Sequence, residues 1–123
     1  MVYCELRSPD RTFYQGEVIS VTARSSRGEF AVLAHHAPLL AELSPGPIRI
    51  RTATEEQEFV CFGGTLSTDG TRIVILGQDI VPRAEINIDE LRRLLEAPSH
   101  SPEEAAELRA RLALFEKVAG RHD

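Results

Sequence analysis

With 123 residues, 42% of them apolar, the chain has the length of one domain plus a small appendage and enough apolar material for a real core. Nineteen acidic side chains against 14 basic ones give a net charge of −5, the wrong sign for a surface that must neutralise phosphates, so nucleic acid is excluded as a partner. No apolar run approaches the ~18 residues of a membrane span, and "MVYCELRSPD" has no basic segment followed by an apolar one, so no direct membrane insertion, no signal peptide and a cytosolic location are expected.

From Val2 to about Ala84 the chain reads as short strands rich in Val, Ile, Thr and Phe, broken by turn residues and without a helical period. Cys4 and Cys61 fall inside strands and far apart, which reads as two reduced, half-buried thiols rather than a disulfide or a zinc site. In "EVISVTA" the residues Ile19, Val21 and Ala23 share one face, as in a single strand. "SSRG" marks a turn, and "GEFAVLAHHAPLL" runs as a strand into His35, His36 and Pro38. "SPGP" turns the chain into "PIRIRT", where Ile48 and Ile50 take one face and Arg49 and Arg51 the other, as a half-solvated antiparallel strand requires. "FGG" reads as a bulge or tight bend, and Asp69-Gly70 as a hairpin turn. "RIVIL" is apolar on both faces after its arginine, which predicts a central strand covered on both sides. The sum is an all-β sandwich or flattened barrel over residues 1–85.

Beyond it the grammar is helical, predicting a hairpin of two helices over residues 86–123. Asn87 is a helix cap with Glu90 three residues on and Ile86 and Leu91 as a hydrophobic staple; Ile88, Leu91 and Leu95 form the apolar stripe, and Pro98 stops the helix. "SPEE" starts the second helix with Ser101 as cap, Pro102 at the first helical position and Glu104 completing a capping box. Ala105, Leu108, Leu112, Phe115 and Ala119 then alternate by three and four residues, a narrow seam, and Gly120 ends the helix.

Two adjacent histidines invite a metal or a general base. Neighbours in an extended segment point to opposite faces, however, and His100 and His122 lie in the helical half with no carboxylate at ligand spacing. Neither cysteine stands beside a helix N-terminus or an evident base, no Ser lies in a GxSxG context, and "FGGTLS" leads into a strand rather than a phosphate-cradling helix. No catalytic residue, no metal and no cofactor is therefore expected. His36 is read as hydrogen-bonded to backbone in a turn that Pro38 stiffens, with His35 facing solvent or a partner. The rival readings are a cytosolic β-barrel enzyme or metal-binding protein built on His35, His36 and Cys61, and a free-standing interaction module.

"GEFAVLAHHAPLLAELSPGPIRI" and "FVCFGGTLSTDGTRIVILGQDIVPRAEI" closely resemble the epsilon subunit of bacterial rotary ATP synthases. Glu29, His36, Ala37, Pro38, Leu39, Pro45 and Gly46 match that family position by position, while Ala31 and His35 stand where glycine is usual or common and Ala34 where proline is usual. The resemblance implies a non-catalytic rotor subunit: a sandwich at the foot of the central shaft, touching the gamma subunit and the polar loops of the c ring. It implies a peripheral place on the cytoplasmic face of the bacterial plasma membrane. Arg27 and Glu29 become candidates for polar contacts with the c ring, and His36 and Pro38 for a turn that shapes the rotor interface. The helices would lie folded or extend to the catalytic beta subunits to restrain hydrolysis, with Arg109, Arg111 and Lys117 meeting acidic surface there. Some family members bind ATP through a motif that "IDELRR" matches in part, supplying Ile88, Asp89 and Arg92 but Arg93 in place of alanine.

Overall fold

Alternating burial turns the first part of the chain into ten strands: β1 (Val2–Arg7), β2 (Thr12–Val18), β3 (Ser20–Ser25), β4 (Gly28–Leu33), β5 (Leu39–Leu43), β6 (Gly46–Arg51), β7 (Glu56–Cys61), β8 (Gly64–Thr68), β9 (Arg72–Gly77) and β10 (Ile80–Pro82). The computed structural model describes residues 1–97 and 100–119; the helix stops read at Pro98 and Gly120, and His122, lie outside the described residues. Two five-stranded sheets form, in the orders β2-β1-β9-β8-β5 and β10-β7-β6-β3-β4. All pairings are antiparallel except β1 with β9, which run parallel from Tyr3–Arg72 to Arg7–Leu76.

Between the sheets lies one apolar layer: Val2, Cys4 and Leu6 of β1, Leu66 of β8, and Ile73 and Ile75 of β9 belong to the same cluster as Val21, Ile48, Ile50 and Phe59 of the other sheet. Fully burying such a Leu, Ile or Val stabilises the fold by ~1.5–3 kcal/mol each, so the layer dominates the sandwich. Ile48 and Ile50 are buried while Arg49 is half-buried and Arg51 exposed, as the alternation in "PIRIRT" requires.

Three details correct the sequence reading. "EVISVTA" is two strands, not one. The chain leaves the first sheet at Val18 and enters the second at Ser20, so the inward parity shifts: Val18, Val21 and Ala23 are buried while Ile19 sits half-buried at the corner. "RIVIL" is central, between β1 and β8, but covered on one face only; Ile73 and Ile75 are fully buried whereas Leu76 is 49% exposed. Cys4 and Cys61 are fully buried rather than half-buried, because both face the core layer.

The turns follow their residues. Asp69 Oδ1 accepts from the Thr71 and Arg72 amides at 2.9 and 3.0 Å and from Thr71 Oγ1 at 2.7 Å, closing the β8–β9 hairpin with Gly70 at φ 97°. At the bend after β7, Gly64 has φ 152° and lies so near the Leu76 carbonyl that a Cβ there would collide with it. The β4–β5 connection is a turn, not an extended run, with His35 in the left-handed region at φ 65°. The His35 amide donates to Gly70 O at 2.9 Å and the His36 amide to Leu33 O at 3.3 Å. These bonds hold a non-glycine residue in the left-handed region.

A second compact unit begins at Arg83, three residues before the boundary read from the sequence. After one 3-10 turn, Arg83–Glu85, come α1 (Ile88–Glu96) and α2 (Pro102–Ala119), packed on each other. Asn87 Oδ1 accepts the Glu90 amide at 3.0 Å, and Ser101 Oγ the Glu104 amide at 3.2 Å, so both caps form where their residues predict. Leu91 is buried between half-buried Ile88 and Leu95 on the α1 stripe. In the last turn of α2 the buried residues are Phe115 and Val118, and Ala119 is exposed; a straight helix advances 3.6 residues per turn, and here the step is three.

Two substitutions test these turns in urea denaturation. His35→Gly relieves ~1–2 kcal/mol of left-handed strain against ~0.5–1 kcal/mol of added chain entropy, so stability should rise by roughly 0.5–1 kcal/mol with an unchanged denaturant slope. Gly64→Ala forces a Cβ into backbone and should lose more than about 2 kcal/mol; equal stability would mean that the β8–β9 approach is looser than described.

Candidate functional site

The β3–β4 hairpin turns on Ser26 and Arg27, with Ser25 paired to Gly28. The Arg27 amide donates to Ser25 Oγ at 3.2 Å, and Gly28 takes φ 118°, a conformation that glycine adopts without strain. Because β4 buries Val32, Glu29 points outward, two residues past the tip. It pairs with Arg49, whose Nη2 donates to Glu29 Oε1 at 2.8 Å. The β4–β5 turn comes alongside, so that Arg27, Glu29 and His36 line one groove of about 570 Å³ with Phe30, Leu39 and Leu40. Its floor is apolar, its rim carries both signs of charge, and Leu40 is 76% exposed.

His36 is half-buried and its Nδ1 meets the carbonyl of Ala37 at 2.7 Å; since a carbonyl only accepts, this contact places the proton on Nδ1. Pro38 is exposed and fixes the backbone leading into β5. His35 is exposed and linked to the rest of the fold through its backbone. Among the described residues no three His, Cys, Asp or Glu side chains gather as metal ligands would. Burial pushes the Cys61 thiol up to about 11 and the Cys4 thiol up to about 12, so neither is a thiolate nucleophile at neutral pH.

In the helical unit, Arg92 Nη2 donates to Glu116 Oε2 of α2 at 2.9 Å, and Arg92 Nη1 lies 3.9 Å from Asp89 Oδ1. The cation read as part of a nucleotide motif is thus held by two carboxylates of its own chain, while Ile88 is half-buried on the apolar stripe. His100 joins the helices in a second way: Nε2 donates to the Leu94 carbonyl, and Nδ1 lies 3.4 Å from Glu104 Oε2. Arg109 and Lys117 are exposed, and the half-buried Arg111 holds its guanidinium 6.0 Å from the Phe115 ring centroid.

The structure therefore gathers Arg27, Glu29 and His36 in one groove of the sandwich. Sequence reasoning missed Arg49, Glu116 and His100. The outward parity of Arg49 was visible in "PIRIRT", but its partner depends on which strands flank β3. Glu116 lies 24 residues from Arg92 and meets it only through the register of two packed helices.

A family model described as ATP synthase, Delta/Epsilon chain, beta-sandwich domain matches residues 1–83. Among similar proteins, the ATP synthase epsilon chain of Rhizobium rhizogenes is 35% identical over 102 residues, 82% of this chain and 76% of that one. The epsilon chain of Mesorhizobium japonicum is 30% identical over 108 residues, 87% and 80% of the two. The fold is also found in the mitochondrial ATP synthase of Euglena gracilis, with TM-score 0.75 and 24% identity over 97% of this chain and 79% of that one. The Tetrahymena thermophila enzyme shows it with TM-score 0.66 and 20% identity, over 96% of each chain. With the family model spanning the whole sandwich and these identities reaching into the helical unit, the chain belongs to the ATP synthase epsilon-chain family.

Proposed function

We propose that this protein is a non-catalytic rotor subunit of a proton-translocating ATP synthase, peripheral on the cytoplasmic face of the bacterial plasma membrane. It binds the gamma subunit and the c ring and turns with them. The observation that carries the reading is the single groove that unites Arg27, Glu29 and His36 on the sandwich the family model matches. The similar Tetrahymena structure is named as central stalk and c ring, which supports these partners.

In this reading the Arg27–Glu29 tip meets the polar loops of the c ring, and the His36–Pro38 turn gives the neighbouring surface its shape. Exposed ion pairs contribute only ~0–1 kcal/mol each, so the broad gamma interface supplies affinity and the tip supplies register. The helices act as a modest brake on hydrolysis through Arg109, Arg111 and Lys117 meeting acidic surface on the beta subunits. Nucleotide is not a regulator here: Asp89 and Glu116 already satisfy Arg92, and Arg93 interrupts the motif that Ile88, Asp89 and Arg92 begin. At ~1.5 Å per residue α1 spans about 14 Å and α2 about 27 Å, so contact with the catalytic head requires the helices to swing apart.

Three measurements check this reading. Glu29→Lys should leave the chain folded and assembled with gamma and c subunits but lower proton pumping by the reconstituted complex; unchanged pumping at physiological salt removes Glu29 from the interface. A chain ending at Ala97, rebuilt into the complex, should sustain synthesis while hydrolysis rises about two- to fivefold, the scale of weak, screened contacts. Loss of synthesis would mean that the helices transmit torque. In titration calorimetry the full chain should show no saturable micromolar ATP binding; an isotherm abolished by Arg92→Ala would make "IDELRR" a nucleotide site.

A further inference from the structure

Glu29 stands on β4, an edge strand, with its side chain half exposed, and a free glutamate there would sample many rotamers. Arg49 removes that freedom. It projects from β6, an interior strand of the same sheet, where the burial of Ile48 and Ile50 on either side fixes its outward direction. Its guanidinium reaches over β3, the strand between, whose residue opposite Arg49 is the short Thr22, and donates to Glu29 Oε1 at 2.8 Å. On its other flank β7 sets Glu58 directly opposite Arg49. The arginine is thus anchored in the middle of the sheet with its head group delivered to the hairpin.

We infer that Arg49 is a positioning residue for the rotor interface: it locks the Glu29 carboxylate in one orientation, engaging Oε1 and presenting Oε2 to a cationic or amide donor on the partner. This rests on the reading that Glu29 meets the polar loops of the c ring. A carboxylate held by a partner before contact loses less rotamer freedom when it docks, and for one flexible side chain the saving is at most about two- to tenfold in affinity. A contact that must stay closed while the rotor turns gains from an acid that is already in register.

The test is a double-mutant cycle in the complete reconstituted synthase, reading protons pumped per ATP hydrolysed together with the melting temperature of the isolated full chain. Arg49→Gln should lower coupling as far as Glu29→Gln does, by about twofold or more, and the double variant should be no worse than either single one, since paired groups act as a unit. Arg49→Lys should restore much of the loss. The exchange Glu29→Arg with Arg49→Glu separates positioning from simple stabilisation: it re-forms the pair and the melting temperature, yet coupling stays low because the interface then presents a guanidinium. Normal pumping by Arg49→Gln beside impaired Glu29→Gln overturns the positioning role and leaves the interface reading intact. Normal pumping by Glu29→Gln overturns both, and full coupling by the exchanged pair reduces Arg49 to a stabilising contact.

Discussion

Every strand of the sandwich has to turn alternate residues into one shared apolar layer, and the chain must still keep that layer filled as it passes from one sheet to the other. It does so between β2 and β3, β4 and β5, β5 and β6, β7 and β8, and β9 and β10. At each passage the inward parity is reset by a corner, a turn or a bend. A slip of one residue would carry a whole strand's apolar set into water, so these passages are the most tightly specified points of the backbone. Gly64 against the Leu76 carbonyl and the His35 turn braced on Gly70 are two of them.

The candidate interface is built on the second of these passages. The turn that resets parity between β4 and β5 carries His36 and Pro38 and comes to lie beside the β3–β4 tip with Arg27 and Glu29. The core thereby sets the geometry of a surface that takes no part in it. The strain stored at His35 belongs to the same economy of shape: a left-handed residue is tolerated because its amide and its neighbour's are both bonded to the fold. The His35 and His36 amides and His36 Nδ1 are all engaged with backbone carbonyls of the fold.

The helical unit obeys a different rule. Its helices have narrow apolar stripes, and what ties them to each other includes polar contacts: Arg92 with Glu116, and His100 with the Leu94 carbonyl and Glu104. Exposed contacts of this kind are individually weak and exchange readily with water. A pair of rods held in this way separates at lower cost than two sheets closed on a shared buried layer.

Local grammar alone determined a great deal. Strand alternation, the Asp69-Gly70 hairpin, the Asn87 and Ser101 caps and the division into a β part and a helical part were legible because each depends on residues within a few positions of one another. The motif around His36 and Pro38 was legible as a family resemblance for the same reason of contiguity. Tertiary structure decided what contiguity cannot: that "EVISVTA" breaks at Ile19 to change sheets, that "RIVIL" leaves Leu76 uncovered, that Cys4 and Cys61 are sealed in the core, and that Val118 rather than Ala119 is buried. It also decided the partners, Arg49 for Glu29 across 20 residues and Glu116 for Arg92 across 24. Such pairs depend on which strands become neighbours and on the register of packed helices, and those are set by the burial of the whole apolar layer rather than by the preferences of any one segment.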